Sequence, residues 1–184
     1  MCNPRRILGL DPGKINFGIA IVELPRKSNT PKVIANGILG CPLNTIKVSF
    51  RDGIAAFLVE IEAWVKEYQP SAIIAERFQS RGLKGTTVEV VGMMLGALCI
   101  HYIEMPLKLI TASAWKTPLQ NRTEKLEGVY KRCKTTPHQL DAVLQGCYGL
   151  EKGLNTEIEY NLDDIILQTE NTSKTNLHKR RARK

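Results

Sequence analysis

Paired cysteines are missing from this chain. Its five, Cys2, Cys41, Cys99, Cys133 and Cys147, are odd in number, lie far apart and form no CxxC pair. That pattern suggests neither a disulfide framework nor a thiolate zinc site, and it suits a reducing cytosol. Long apolar runs are missing too: no stretch approaches the roughly 18 residues that span a bilayer, and the start, Met1 to Arg6, is polar and carries no targeting pattern. Acidic residues are in deficit, 18 against 26 basic ones, leaving a formal charge of +8. Such a field favours polyanionic partners, nucleic acid first, although a basic surface also serves solubility. There is no internal repeat. Two lobes and a second phosphate loop are also missing, which sets aside the sugar-kinase and actin-like ATPases that likewise begin with Asp-x-Gly between strands.

What is present is enough for one α/β domain. With 184 residues and 43% hydrophobic content the chain can bury a real core. Ile7 to Leu10 is a short apolar run stopped by Asp11-Pro12-Gly13, and Phe17 to Leu24 follows at once, which reads as a hairpin. Val33 to Leu39 gives a third strand. From Phe50, the residues Ile54, Phe57, Leu58, Ile61, Val65 and Tyr68 recur at helical spacing until Pro70 ends the pattern. Ser71 to Ala75 reads as a buried strand ending at Glu76, Arg77 to Gly85 as a loop, and Thr86 to Ile103 as a long helix. Leu107 to Thr111 supplies a fifth strand. Ser113 can cap a short helix carrying Trp115 and Lys116, and Lys125 to Arg132 reads as helical. Thr136-Pro137, a capping hydroxyl before a proline at the first helical position, opens a last core helix over His138 to Tyr148, stopped by Gly149. Strands and helices in this order predict a mixed five-stranded sheet with helices on both faces.

Residues 1–150 are therefore expected to form the domain, and 151–184 a tail. Glu151 to Glu170 holds six acidic residues and one lysine; Asn171 to Lys184 holds six basic residues and no acid. The last fourteen residues are polar with a single leucine, a composition that predicts disorder.

Three acids stand out by position. Asp11 ends the first strand, Glu76 ends the fourth, and Asp141 lies one turn into the last core helix. Functional groups gather at strand ends in α/β sheets, so these three can converge although they are far apart in sequence. Close carboxylates repel, and hard divalent cations with oxygen ligands are the natural relief. Magnesium held by few carboxylates keeps positions open for water and phosphate oxygens, which suits phosphodiester hydrolysis, with two ions about 3.5 to 4 Å apart dividing the work. His138, three residues before Asp141, shares its helix face and is a candidate ligand or proton shuttle. Taken singly, each has a plainer explanation: a turn residue, a surface acid, a helix-start charge, a local polar contact. Their joint order on the right elements is the signal.

Three segments carry a resemblance. Ile7 to Gly13 (ILGLDPG), continued by Asn16 to Ala20, is similar to the first motif of the RuvC-type Holliday junction resolvases, a strand ending in a catalytic Asp followed by Pro-Gly. Ala75 to Phe78 (AERF) resembles the second, a catalytic Glu with an aromatic close behind, and Pro137 to Ala142 (PHQLDA) the third. Thr111 to Lys116 (TASAWK) is similar to a segment of phage-type members. The match spans residues 5–150. It departs from the family in a shortened Gly-rich basic segment and in the acidic-then-basic tail, and the latter departures bear on junction selectivity more than on nuclease chemistry.

The resemblance implies an RNase H-like fold and a magnesium-dependent endonuclease, manganese substituting, that cuts Holliday junctions or other branched DNA by paired nicks. It implies metal-binding and catalytic roles for Asp11, Glu76, His138 and Asp141, a wedging or stacking role for Phe78 at the branch point, and a homodimer through the helix from Thr86 to Ile103. The apolar face of that helix reads equally as ordinary core. Candidate phosphate contacts are Arg77, Arg81, Lys84, Lys116, Arg122, Lys125, Lys131, Arg132 and Lys134, which flank the expected site. A nuclease acting on single strands, forks or RNA–DNA hybrid, and a catalytically silent branched-DNA binding module, are the alternatives.

Overall fold

The computed structural model describes residues 5–13, 16–40, 49–77 and 86–181. Its elements, in chain order, are β1 (Arg5–Asp11), β2 (Asn16–Leu24), β3 (Lys32–Gly40), α1 (Phe50–Tyr68), β4 (Ala72–Glu76), α2 (Thr86–His101), β5 (Leu107–Ile110), α3 (Ala112–Arg122), α4 (Leu126–Arg132), α5 (Pro137–Leu154) and α6 (Leu162–Arg181). The five strands form one sheet in the order β3-β2-β1-β4-β5. β1 to β3 are antiparallel neighbours, and β4 and β5 join β1 in parallel, so the expected mixed sheet is present.

Both faces of the sheet are covered, and strand alternation assigns each residue its side. Leu8, Leu10, Ile19, Ile21, Ile73 and Ala75 point to one side, where α1 and α2 supply Phe57, Ile61, Trp64, Val91, Met94 and Leu98. Ile7, Ala20, Val22 and Ile74 point to the other, under α5 and the helices α3, α4 and α6. Because β2 is buried on both faces, it reads as a nearly unbroken apolar run. Each fully buried aliphatic side chain contributes about 1.5 to 3 kcal/mol relative to exposure.

The helix ends follow local chemistry. Ser49 caps α1 by accepting from the Asp52 amide, and Gln69, at φ 50°, closes it in the left-handed region before Pro70. Thr111, rather than Ser113, caps α3 through the amide of Ala114, because the extended residue at the strand exit is the one whose hydroxyl faces the free amides. Thr136 and Gln139 form a reciprocal capping box at the start of α5. Gly149 does not stop α5. The helix runs on to Leu154 and is closed by Asn155 at φ 48°. Gly149 is instead a close-packing residue, since a Cβ there would lie 3.0 Å from Ile7 and 3.2 Å from Ile74.

The packed core does not end at Leu150 either. Ile158, Leu162, Ile165 and Ile166 are buried in the same cluster as α5, and Thr169 is fully buried. α6 lies along the edge strand β3, where Gln168 Oε1 accepts from the Val33 amide at 2.8 Å, meeting a backbone donor that an open edge leaves unpaired. Buried Asn36 of β3 donates to the Thr169 carbonyl and to Thr172 Oγ1, at 2.8 and 2.6 Å. The disorder expected for Asn171 to Lys184 is replaced by helix as far as Arg181. The spacing 158, 162, 165, 166 is a short helical stripe, and charge segregation in the surrounding sequence masks it.

Cys99, Cys133 and Cys147 are free thiols, and burial pushes that of Cys147 up to about 12. Among the described residues no helix is long and apolar enough to cross a membrane.

Candidate functional site

β1 and β4 run parallel with Leu10 opposite Ala75, so one residue further along each strand places Asp11 and Glu76 side by side at the same sheet end. Both lie on the α5 side, as Gly9 and Ile74 do two residues earlier. What brings α5 down onto them is the absence of side chains beneath it. A Cβ at Gly9 would strike the carbonyl oxygen of Ala142, and one at Gly18, the cross-strand partner of Asp11, would strike that of His138. Two glycines on adjacent strands thus let the helix backbone lie on the sheet and carry His138 and Asp141 to the strand ends.

The contacts are specific. Asp11 is 7% exposed; its Oδ2 lies 2.5 Å from His138 Nδ1, and its Oδ1 accepts from Gln145 Nε2 at 3.2 Å. Glu76 Oε2 accepts from Trp115 Nε1 at 3.0 Å and from the same Gln145 nitrogen at 3.4 Å. Asp141, also 7% exposed, accepts from Lys116 Nζ at 2.8 Å and from the Tyr130 hydroxyl at 2.5 Å. Burial and the neighbouring carboxylate of Asp11 hold both Glu76 and Asp141 above the ordinary carboxylate range, against the opposing pull of Trp115 on the first and Lys116 on the second. The hydrogen bond to Asp11 raises His138 above the usual imidazole value, against burial. Burial, with Asp141 beside it, drives the Tyr130 phenol far up, so it remains a donor.

Asp11, Glu76 and His138 are therefore joined by hydrogen bonds, directly or through Gln145, and Asp141, held by Lys116 and Tyr130, lies near enough to feel the charge of Asp11. They do not close on one point: among the described residues no three His, Cys, Asp or Glu side chains are grouped tightly enough to hold an ion as they stand. Amine and amide groups lie among them instead, Lys116 against Asp141 and Gln145 between Asp11 and Glu76. The donor set nevertheless fits a hard divalent cation. It consists of crowded carboxylates, two of which burial and the charge of Asp11 push toward the neutral form, a repulsion that a hard cation relieves.

Three contributors were not legible as site residues. Trp115 was placed on its helix without a role, and Tyr130 gave no signal in the sequence. Gln145 gave one: it lies seven residues after His138 and four after Asp141, a polar residue on the same helical stripe as Ala142, Gly146 and Gly149.

The basic residues divide into groups. Lys116 is in the site. Arg122 is held in a bidentate pair with Glu151, at 2.7 and 2.9 Å, over the ring of Tyr160. Arg132 pairs with Glu124 and Asp163, and Lys131 with Glu127. These three cations are thus partly neutralised by acids close to them in space. Arg77, Lys125 and Lys134 are exposed. Phe78, Arg81 and Lys84, with the loop expected up to Gly85, lie outside the described residues.

Val91, Leu95 and Leu98 of α2, and Tyr102 just beyond its end, are core. A second stripe is open: Met93 is 46% exposed, Ile100 77%, and Ile103 in the following turn 82%. Gly92 and Gly96 lie on this side with nothing near their missing Cβ positions.

No protein-family model and no curated protein matches the sequence. Solved structures do match. The structure of Thermus thermophilus RuvC in complex with Holliday junction substrate superposes with a TM-score of 0.65 at 16% identity, covering 83% of this chain and 97% of that one. Another Thermus thermophilus RuvC structure gives 0.63 at 15% identity, covering 82% and 97%. The yeast mitochondrial Holliday junction resolvase gives 0.51 at 17%, covering 87% of this chain and 66% of that one. The sheet order, the helices on both of its faces and these superpositions together give the chain the RNase H-like fold of the RuvC-type resolvases.

Proposed function

We propose that the chain is a divalent-metal-dependent endonuclease for branched DNA, four-way junctions above all, that works as a cytosolic homodimer making paired nicks. The observation that carries this reading is the meeting of Asp11, Glu76, His138 and Asp141, from two strands and one helix, at one end of the sheet in a fold shared with a RuvC solved on its junction substrate.

Asp11, Glu76, Asp141 and His138 would hold magnesium, two ions per site, with manganese able to substitute. When bound, the ions supply an activated water and stabilise the leaving oxygen. The chain's own groups prepare for this. Asp11 fixes the imidazole of His138 through Nδ1, which turns Nε2 to a ligand or to a proton at the scissile phosphate. Tyr130 anchors one oxygen of Asp141 and so sets the direction of the other. Lys116 neutralises Asp141 in the metal-free protein and, once displaced, is positioned to meet a phosphate oxygen as a point charge.

Exposed Arg77, Lys125 and Lys134 would contact the DNA backbone, with Phe78, Arg81 and Lys84 as further contacts from the segment that follows β4. Paired cuts across a symmetric junction call for two symmetric subunits, and the open stripe of α2, apolar and unobstructed at Gly92 and Gly96, suits an isologous helix contact.

Incubating the protein with labelled four-way junction, fork, single strand and linear duplex, with and without magnesium, tests activity, metal requirement and shape selectivity together. Cutting confined to the junction and dependent on magnesium is expected. Junction binding without cutting at any metal concentration would reduce the chain to a binding module.

A further inference from the structure

Gln145 is fully buried, and both ends of its amide are unusual. Nε2 lies between two carboxylate oxygens, 3.2 Å from Asp11 Oδ1 and 3.4 Å from Glu76 Oε2, while Oε1 has no hydrogen-bond partner. A buried carbonyl oxygen left unpaired is costly, and a fold can tolerate it where the opposite end of the same group meets two acceptors at once. Here the engaged end links two acids whose charges would otherwise repel.

We infer that Gln145 is a positioning residue that stands in for the cation: its amide N–H groups hold Asp11 and Glu76 together until the metal arrives, and then yield. The inference rests on the metal-dependent reading above. Three pieces of geometry carry it. The nitrogen addresses one oxygen of each acid at once, the role a bridging cation would take. A donor and a cation compete for the same lone pairs, so both cannot keep them. Withdrawal of the amide breaks no bond from Oε1 to another part of the chain. Gln145 sits on α5, four residues after Asp141, so the helix that brings Asp141 to the site also carries this placeholder.

Removing the donor without changing the side chain's length separates this role from simple space filling. Gln145→Met keeps the volume and loses the N–H groups. The full-length variant and the wild type are compared by thermal unfolding in chelator and in excess manganese, and by calorimetric titration with manganese. The variant is expected to melt lower than the wild type in chelator, to recover most of that loss in manganese, and to bind manganese on the order of tenfold more tightly, the worth of one hydrogen bond to a charged group. Equal losses with and without metal, or manganese affinity that is unchanged or weaker, would overturn the inference. Should Gln145→Met fail to fold in chelator, Gln145→Glu replaces the donors by a fourth acid, and its manganese-induced rise in melting temperature must exceed that of the wild type. A wild type that takes up no manganese at all would remove the metal-dependent reading itself, and this inference with it. A wild type that binds manganese beside a Gln145→Met of unaltered response would remove the role of Gln145 alone.

Discussion

Asp11 Oδ2 and His138 Nδ1 lie 2.5 Å apart across 127 residues of sequence, and the contact ties the end of β1 to the first turn of α5. Asp11→Asn keeps the shape of this pair and removes its charge. The expected result is loss of cleavage by on the order of a thousandfold or more, with junction binding in the absence of metal retained. Single-turnover cleavage and a gel-shift titration on the same preparation measure the two. Cleavage at the wild-type rate would contradict the assignment of Asp11.

The pH dependence follows from the same cluster. Glu76 and Asp141 are held above the ordinary carboxylate range, chiefly by burial, and His138 above the ordinary imidazole value by its bond to Asp11. In each case the folded chain binds protons more tightly than the unfolded chain, so each contribution favours folding at low pH and is lost as pH rises through the raised folded value. The metal-free wild type should therefore lose stability relative to Glu76→Gln as pH climbs from about 4, while His138 adds a loss above about 6.5 that both proteins share. Metal binding has the opposite trend, because the carboxyls must shed protons first: magnesium affinity should rise over the same range. Thermal unfolding of both proteins in chelator across pH, with titrations of magnesium beside it, reads the two signs.

Gly18 tests how α5 is seated. A Cβ at this position would run into the backbone carbonyl of His138, which has no side-chain freedom with which to give way. Gly18→Ala should cost about 1 to 3 kcal/mol, within the range for overpacking, and depress cleavage because His138 must move. Gly153→Ala, with open space at its missing Cβ late in the same helix, should be neutral or gain up to about 1 kcal/mol. Equal effects from the two would show that close approach of α5 is not required.

Ile165, 2% exposed, reports whether α6 is part of the domain. Ile165→Ala should lower stability by about 2 to 5 kcal/mol, as for a core truncation. A melting temperature unchanged by it would mean that α6 contributes nothing to the fold.

Ile100, 77% exposed, should matter only between subunits. Ile100→Glu is expected to leave the melting of the isolated chain nearly unaltered and to convert a dimer to a monomer in sedimentation. A dimer that persists would move the interface elsewhere.

Strand alternation and helical spacing, read along the chain, were sufficient for the elements up to α5 and for the positions of Asp11, Glu76, His138 and Asp141 on them, because each of those signals lies within a few neighbouring residues; the mixed sheet followed from the order of those elements. Thr136 and Pro137 marked the start of α5 for the same local reason. The sequence could not say that Gly149 packs rather than stops, since a glycine that ends a helix and one that admits a neighbouring isoleucine are identical until the neighbour is in place. Nor could it say that residues beyond Leu150 join the core, because the worth of Ile158 to Ile166 depends on an edge strand more than a hundred residues earlier. Tertiary structure alone set Arg122 against Glu151 and Arg132 against Asp163, and it alone placed the amide of Gln145 between two carboxylates. Those are matters of distance between surfaces that only folding brings together.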